Sequence, residues 1–135
     1  MTTPPEEVLR VAIVGSREYA HPEKVREFVR ELAKTHDKKV VIVSGGANGV
    51  DSVAADEAVS QGLHIAVWRP NWSQGKRAAL KRNYQIVNDA SKVVAFWDEE
   101  SRGTAHSMKI AINKDKLWKV FGVDGSEMDH DDLNL

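Results

Sequence analysis

The chain has no cysteine among its 135 residues, which excludes a disulfide scaffold, a thiolate metal site and a cysteine nucleophile. It has no apolar run near the roughly 20 residues that a membrane-spanning helix needs, so no membrane role is expected. The start, Met1-Thr2-Thr3-Pro4-Pro5-Glu6-Glu7, lacks the basic cluster and apolar stretch of a secretory signal. A cytoplasmic location is the expectation. Lysine and arginine form no long block and the formal net charge is -1. Nonspecific attraction to a polyanion is therefore not expected to dominate, and nucleic acid is not expected as a partner. The five histidines show no metal-ligand spacing, so no metal is expected.

What is present is alternation of strand and helix signals. Leu9 to Val14 reads as a buried strand ending in the turn Gly15-Ser16-Arg17. Pro22 suits a helix first turn, and Val25, Phe28, Val29 and Leu32 follow at helical spacing. Val40-Val41-Ile42-Val43 is β-branched or aliphatic throughout, as in a parallel strand covered on both faces. A second helix carries Val50, Ala54, Ala58 and Val59 and stops at Gly62. Ile65 to Trp68 is a third strand. A basic helix from about Lys76 to Asp89 follows, with Leu80, Tyr84 and Val87 as its expected inward side. Val93 to Trp97 is a fourth strand, a helix with Met108, Ala111 and Ile112 follows, and Leu117 to Val123 is a fifth.

Short connections in this order imply an α/β fold: a Rossmann-like, three-layer α/β/α domain with a five-stranded, mainly parallel sheet. The expected limits are a flexible N-terminus at 1–8, the domain at 9–123 and an acidic, mobile tail at 124–135. Ligands of such sheets sit beyond the carboxyl ends of the strands, and the unusual residues fall in those loops.

Ser44-Gly45-Gly46-Ala47-Asn48-Gly49 joins a strand to a helix, where backbone N–H groups can approach an anion closely. A tight turn that binds nothing is an equal alternative. Asp51 can cap that helix or hold a ligand hydroxyl. After the first strand, Gly15 and Ser16 precede Arg17, whose planar fork can clamp an anion. Ser101-Arg102-Gly103-Thr104 offers two hydroxyls, a guanidinium and helix N-terminal amides, with simple capping as the competing role. Trp72 and Trp97 are expected to flank the cleft and stack on a base, although Trp97 also suits the core. Lys76 adds positive charge, and Asn83 can read a base or ribose. His106 falls near the last of these loops, with an incidental role preferred. Asp98, Glu99 and Glu100 form the one carboxylate cluster near the cleft, available as base or nucleophile if the protein is an enzyme. Gly75-Lys76 does not complete a P-loop, because Pro70 stands where its first glycine belongs. The third strand ends Trp68-Arg69 rather than in the acid of a dehydrogenase.

Val14-Gly15-Ser16-Arg17, Val43-Ser44-Gly45-Gly46-Ala47-Asn48-Gly49-Val50-Asp51, Gly75-Lys76, Arg82-Asn83 and Arg102-Gly103-Thr104-Ala105-His106 together resemble the SLOG superfamily, and within it the YspA branch of cpYpsA-related proteins. The resemblance runs from about Val11 to Ile112. It implies a Rossmann-like fold and binding of a nucleotide, a nucleotide-derived signal or nucleic acid. LOG enzymes of this superfamily release a base from nucleoside monophosphates, and DprA, which shares the first two motifs, binds single-stranded DNA. Alignment on Gly103-Thr104 puts Ser107 at the LOG catalytic glutamate, so that mechanism does not carry over.

The expectation is thus a noncatalytic module for a nucleotide-type phosphate ligand, with no required cofactor and, by resemblance, a homodimeric state. The alternatives are a nucleotide N-glycosidase using Asp98, Glu99 or Glu100, and a DprA-like single-strand adaptor.

Overall fold

The computed structural model describes residues 8–135, so the expected flexible start lies, except for Val8, outside the described residues. The elements are β1 (Leu9–Gly15), α1 (Pro22–Thr35), β2 (Val40–Ser44), α2 (Val50–Ser60), β3 (His64–Val67), a 3-10 segment (Trp72–Arg77), α3 (Ala78–Asp89), β4 (Lys92–Phe96), α4 (Arg102–Asn113), β5 (Leu117–Phe121) and β6 (Glu127–Met128). A short 3-10 turn, His130–Asp132, follows.

Six strands form one sheet in the order β3-β2-β1-β4-β5-β6. All neighbours are parallel except β6, which runs antiparallel to β5. The architecture is the expected Rossmann-like one, with one strand more. Alternate residues of β1 serve opposite layers, as a pleated strand requires. Val11 and Ile13 pack with Val25, Val29 and Ala54 of α1 and α2. Ala12 and Val14 pack with Ile86, Val87, Met108 and Ala111 of α3 and α4. Both faces are covered, which explains the unbroken apolar run of β2.

Several expected faces are corrected. Val59 of α2 is exposed, as are Leu80 and Tyr84 of α3 and Ile112 of α4. In α3 the inward positions hold Ala78, Asn83, Ile86 and Val87. A small residue and an amide at two of them hide the stripe that apolar spacing is meant to reveal. The segment expected to be a mobile tail instead returns as β6, with Met128 opposite Val120. Met128 and Leu133 then pack against the second core layer. A strand of two residues is too short to show a period.

β1 connects leftward to β2, while its other neighbour β4 continues away toward β5. The chain therefore leaves the two central strands in opposite directions, opening a crevice at their carboxyl ends. Two glycines let the crevice walls close up. A Cβ on Gly15 would lie 2.6 Å from Val50 Cγ2 and 2.7 Å from the Phe96 carbonyl oxygen. Gly49 has φ +81, and a Cβ there would sit 2.2 Å from the Arg17 carbonyl oxygen.

Candidate functional site

The crevice is a cleft of about 560 Å³, within the usual range for a small-ligand pocket. The β1 loop contributes Ser16, Arg17 and Glu18, and the β2 loop contributes Ala47 and Asp51. Leu80, Arg82 and Asn83 come from α3. Asp98, Glu100, Ser101, Gly103, Thr104 and Ser107 come from the β4–α4 junction. The expected convergence of loops after β1, β2 and β4 is thus present, but their donors are used differently.

In the glycine-rich loop the amides serve the protein itself. The Gly46 N–H donates to Ser44 Oγ at 3.1 Å, and the Ala47 N–H donates to Asp51 Oδ2 at 3.1 Å. The Gly45 amide also favours the Asp51 carboxylate. Ser44, Gly45 and Gly46 do not line the cleft. The expectation that these amides cradle a ligand phosphate is corrected: the Gly45 and Ala47 amides hold Asp51 and the Gly46 amide is taken by Ser44. Asp51 is 8% exposed. Burial pushes its carboxyl up to about 6, against the Ala47 amide, Arg82, the Gly45 amide and Arg17.

Arg82 is the cation that sequence reasoning left out of the site. Its Nη1 donates to the Gly45 carbonyl at 2.9 Å and its Nε donates to Asn83 Oδ1 at 3.1 Å. Burial holds its guanidinium below the ordinary value; Asp51 opposes that effect and neighbouring Arg17 adds to it. Asn83 Nδ2 in turn donates to His106 Nδ1 at 3.1 Å, which places the ring proton of a neutral His106 on Nε2. Burial and Lys109 keep that imidazole's pKa low. Asn83 is 6% exposed, so it is a built link rather than a surface amide. The signal for Arg82 was present in the Arg82-Asn83 pair, of which only Asn83 was carried into the expected site.

Ser16 is buried, and its hydroxyl accepts the Asp98 N–H at 3.2 Å. Asp98 Oδ1 accepts the N–H groups of Glu100 at 2.9 Å and Ser101 at 2.8 Å. Burial works against ionisation of Asp98, but these amides and the Ser16 hydroxyl hold it below the usual carboxylate range. Asp98 is thereby committed to shaping its loop. Ser101 caps α4, accepting the Thr104 N–H at 3.3 Å and sharing a hydrogen bond with Thr104 Oγ1 at 2.9 Å. Gly103 and Thr104 still face the cleft, in the first turn of a 12-residue helix whose amino end favours negative charge. Ser107, buried, lines the wall beneath.

Other expected contributors lie outside the cleft. Trp97 is 6% exposed, packs in the second core layer and donates its indole N–H to the Ser101 carbonyl at 3.1 Å. It is a core residue and no stacking platform. Arg102, Glu99 and Lys76 are exposed and do not line the cleft. Trp72 does not enter it either; it stands 66% exposed on the 3-10 segment that precedes α3.

That position exposes a second feature. From the end of β3 into α3 the chain leaves Trp68, Arg69, Trp72, Lys76, Arg77, Lys81 and Tyr84 exposed, in that order along the row, with the Tyr84 ring edge-on to His106 at 5.5 Å. The Trp68 indole N–H is tied to Asp89 Oδ2 at 2.9 Å, and Asp89 is held by Arg10. The row joins the cleft through Leu80 and Arg82. Among the described residues no His, Asp and Glu group could hold a metal ion, and no helix is long and apolar enough to cross a membrane.

Comparison with known proteins agrees with this architecture. Residues 3–69 match the family model of DNA recombination-mediator protein A. The Gene 61 protein of Mycobacterium phage D29 is 33% identical over 112 residues, covering 76% of this chain and 87% of the phage protein. The X-ray structure of DNA processing protein A (DprA) from Streptococcus pneumoniae superposes with a TM-score of 0.69 at 20% identity, over 85% of this chain and 50% of that one. DprA from Helicobacter pylori, whose structure describes a single-stranded DNA binding mode, gives a TM-score of 0.61 at 26% identity over 84% of this chain and 64% of its own. TM1055 gives 0.66 at 19% identity over 82% and 72% of the two chains. The chain thus spans half to under two thirds of the DprA chains it matches. These matches overturn the expectation that nucleic acid is not a partner class. A net charge of -1 is an average over faces of opposite sign and does not describe the face a ligand meets.

Proposed function

We propose that this chain, which belongs to one family with the Gene 61 protein of Mycobacterium phage D29 and matches the DNA recombination-mediator protein A model over residues 3–69, is a DprA-related SLOG protein that binds single-stranded nucleic acid along the β3–α3 row and into the cleft. The observation that carries this reading is the row itself: two exposed indoles, an exposed phenol and four exposed cations along one stretch of chain, running into the helix whose Arg82 lines the cleft with Arg17. A sequence-tolerant single-strand site needs both parts, cations for the phosphates and aromatic faces for unstacked bases. The single-strand binding described for Helicobacter pylori DprA supports the same reading. Within the superfamily, the Arg102-Gly103-Thr104-Ala105-His106 string and Ser107 support assignment to the YspA branch.

In this reading Trp72 stacks on a base. A phosphate meets Arg82, Arg17 and the amino end of α4 at Gly103, since the glycine-rich loop amides are already satisfied by Ser44 and Asp51 and the Thr104 amide by Ser101. The test is fluorescence anisotropy of the intact protein with a short labelled oligodeoxythymidylate across a salt series. Binding that weakens steeply with salt is expected, and Arg82→Ala reduces the slope of log affinity against log salt by about one. Absence of binding at low salt would reject the reading.

A free nucleotide is the second reading, favoured by a cleft of about 560 Å³, a volume suited to one nucleotide. It requires an affinity for nucleoside monophosphates that Trp72→Ala leaves untouched, because Trp72 lies outside the cleft.

A further inference from the structure

The carboxyl ends of the strands carry a graded charge. After β3 stand Arg69, Lys76 and Arg77; after β1, Arg17 and Glu18; after β4, Asp98, Glu99 and Glu100; after β5, Asp124. Because the sheet order is β3-β2-β1-β4-β5-β6, this sequence of loops is also a spatial one. It passes from a basic end, through the cleft, to an acidic end. Arg102, exposed in the first turn of α4, is the one cation of the β4–α4 junction. Beyond Glu99 a second concavity is lined by Asp124, Glu127, Asp129 and Asp132 of the C-terminal hairpin.

A polyanionic strand lying on the β3–α3 row therefore meets favourable charge up to Arg82 and Arg17. To continue past the cleft it would have to cross Asp98 and Glu100 and then the hairpin carboxylates. Like charges repel over the Debye length of roughly 8 Å in physiological salt, so each phosphate carried across that wall is opposed. The cleft also brings two guanidinium groups close enough to disfavour one another, as Arg17 does Arg82. Two neighbouring cations suit a terminal phosphomonoester, with its charge of about −1.5 to −2, better than an internal diester with one negative charge.

Resting on the single-strand reading above, we propose that the cleft receives the phosphorylated end of a strand: the chain runs in along the aromatic and basic row and stops at Arg17 and Arg82 against the Asp98–Glu100 wall. The site is then an end-recognition site, with Trp72 engaging a base upstream of the terminus.

The experiment compares oligodeoxythymidylate of one length in three forms: linear with a terminal phosphate at either end, linear with hydroxyl ends, and ligated into a circle. A circle keeps every base and diester but has no end. The phosphorylated linear form is expected to bind at least ~10-fold more tightly than the circle, the scale of one charge-assisted contact. Arg17→Ala is expected to remove most of that difference, so that the ratio of the phosphorylated strand's affinity to the circle's falls toward one whatever the variant does to binding as a whole. Equal affinity for circle and phosphorylated strand overturns end recognition and leaves the strand reading standing. Equal affinity for the two linear forms overturns the role of the terminal phosphate. Failure of all three to bind at low salt removes the strand reading and this one with it.

Discussion

Asp51 offers the sharpest quantitative test, because its carboxyl is buried where it also holds a loop. Its pKa rises from the ordinary 3.8 to about 6 in the folded protein, mainly through burial. A rise of that size corresponds to roughly 3 kcal/mol between the fully charged and fully protonated limits. The folded state takes up its proton at a higher pH than the unfolded chain, so it binds more protons across the interval from about 6 to 3.8. Stability contributed here is therefore present below the unfolded value and is lost as pH rises through about 6. Asp51→Asn cannot titrate. Urea unfolding of the two proteins, measured from pH 7 to pH 4, isolates the group: the wild type should gain on the variant as pH falls, by up to ~3 kcal/mol. Subtraction matters because Asp89, Asp98 and Asp124 have depressed values and lose stability in acid. A difference that stays flat, or that falls with acidification, would refute the placement of a buried, loop-holding carboxylate at Asp51. The same protonation removes a counter-charge from Arg82 and Arg17. Oligonucleotide affinity should accordingly strengthen as pH drops through 6 in the wild type, and stay flatter in Asp51→Asn.

Three further outcomes follow from single contacts. Gly49→Ala places a Cβ 2.2 Å from the Arg17 carbonyl oxygen at φ +81; chemical denaturation should show a loss of at least ~2 kcal/mol, since both backbone strain and a clash must be relieved. Trp72→Ala, at a side chain left 66% exposed, should change stability by no more than about 0.5 kcal/mol yet weaken oligonucleotide binding by about 1–3 kcal/mol, read by anisotropy. Asp98→Ala leaves the Glu100 and Ser101 amides without their acceptor and should cost roughly 1–2 kcal/mol in urea unfolding at neutral pH. Because the folded Asp98 value is depressed, that cost is expected above the ordinary carboxylate range and fades as pH falls through the folded value.

The strand sequence was legible because buried parallel strands leave unbroken apolar runs, as in Val40 to Val43, and because their turns carry glycine. The loops that meet at the cleft were legible for the same reason. Side-chain roles inside those loops were not. Whether a glycine-rich loop gives its amides to a ligand or to Asp51 depends on where a carboxylate four residues later turns, and Ala47 to Asp51 is a contact within one local turn. Motif spacing is identical in both cases. Trp97 reads either way on a strand end, and its indole proton is settled by the Ser101 carbonyl. Arg82 escaped because the inward stripe of α3 runs through Ala78 and Asn83, which no hydrophobic period picks out. The hairpin after β5 escaped because its pairing involves two residues and its fixed position depends on Met128 and Leu133 finding the second core layer.

The self-satisfied loop has a consequence for what the site selects. In a dinucleotide fold with open glycine-loop amides, the ligand supplies the anion, and any pyrophosphate of the right shape competes for it. Here Asp51 supplies that anion, so main-chain recognition at β2 is already spent on the protein's own shape. The remaining attraction for phosphate comes from Arg82 and Arg17 and from the amino end of α4 at Gly103. Guanidinium contacts tolerate many phosphate orientations and respond to salt, whereas a closed amide nest fixes one. A site built from mobile cations beside exposed rings suits a flexible strand that must be held wherever its phosphates fall. The half-buried Arg82–Asn83–His106 chain of hydrogen bonds then limits that mobility at one point, Arg82, which is held to Gly45 and Asn83 at once. Arg82 is thus the fixed cation and Arg17 the adjustable one, so Arg82→Lys, which loses the fork that spans Gly45 and Asn83, should weaken binding nearly as much as Arg82→Ala. Arg17→Lys, in contrast, should bind almost as well as the wild type; a large loss there, measured by the same anisotropy titration, would show that both cations are positioned and not just present.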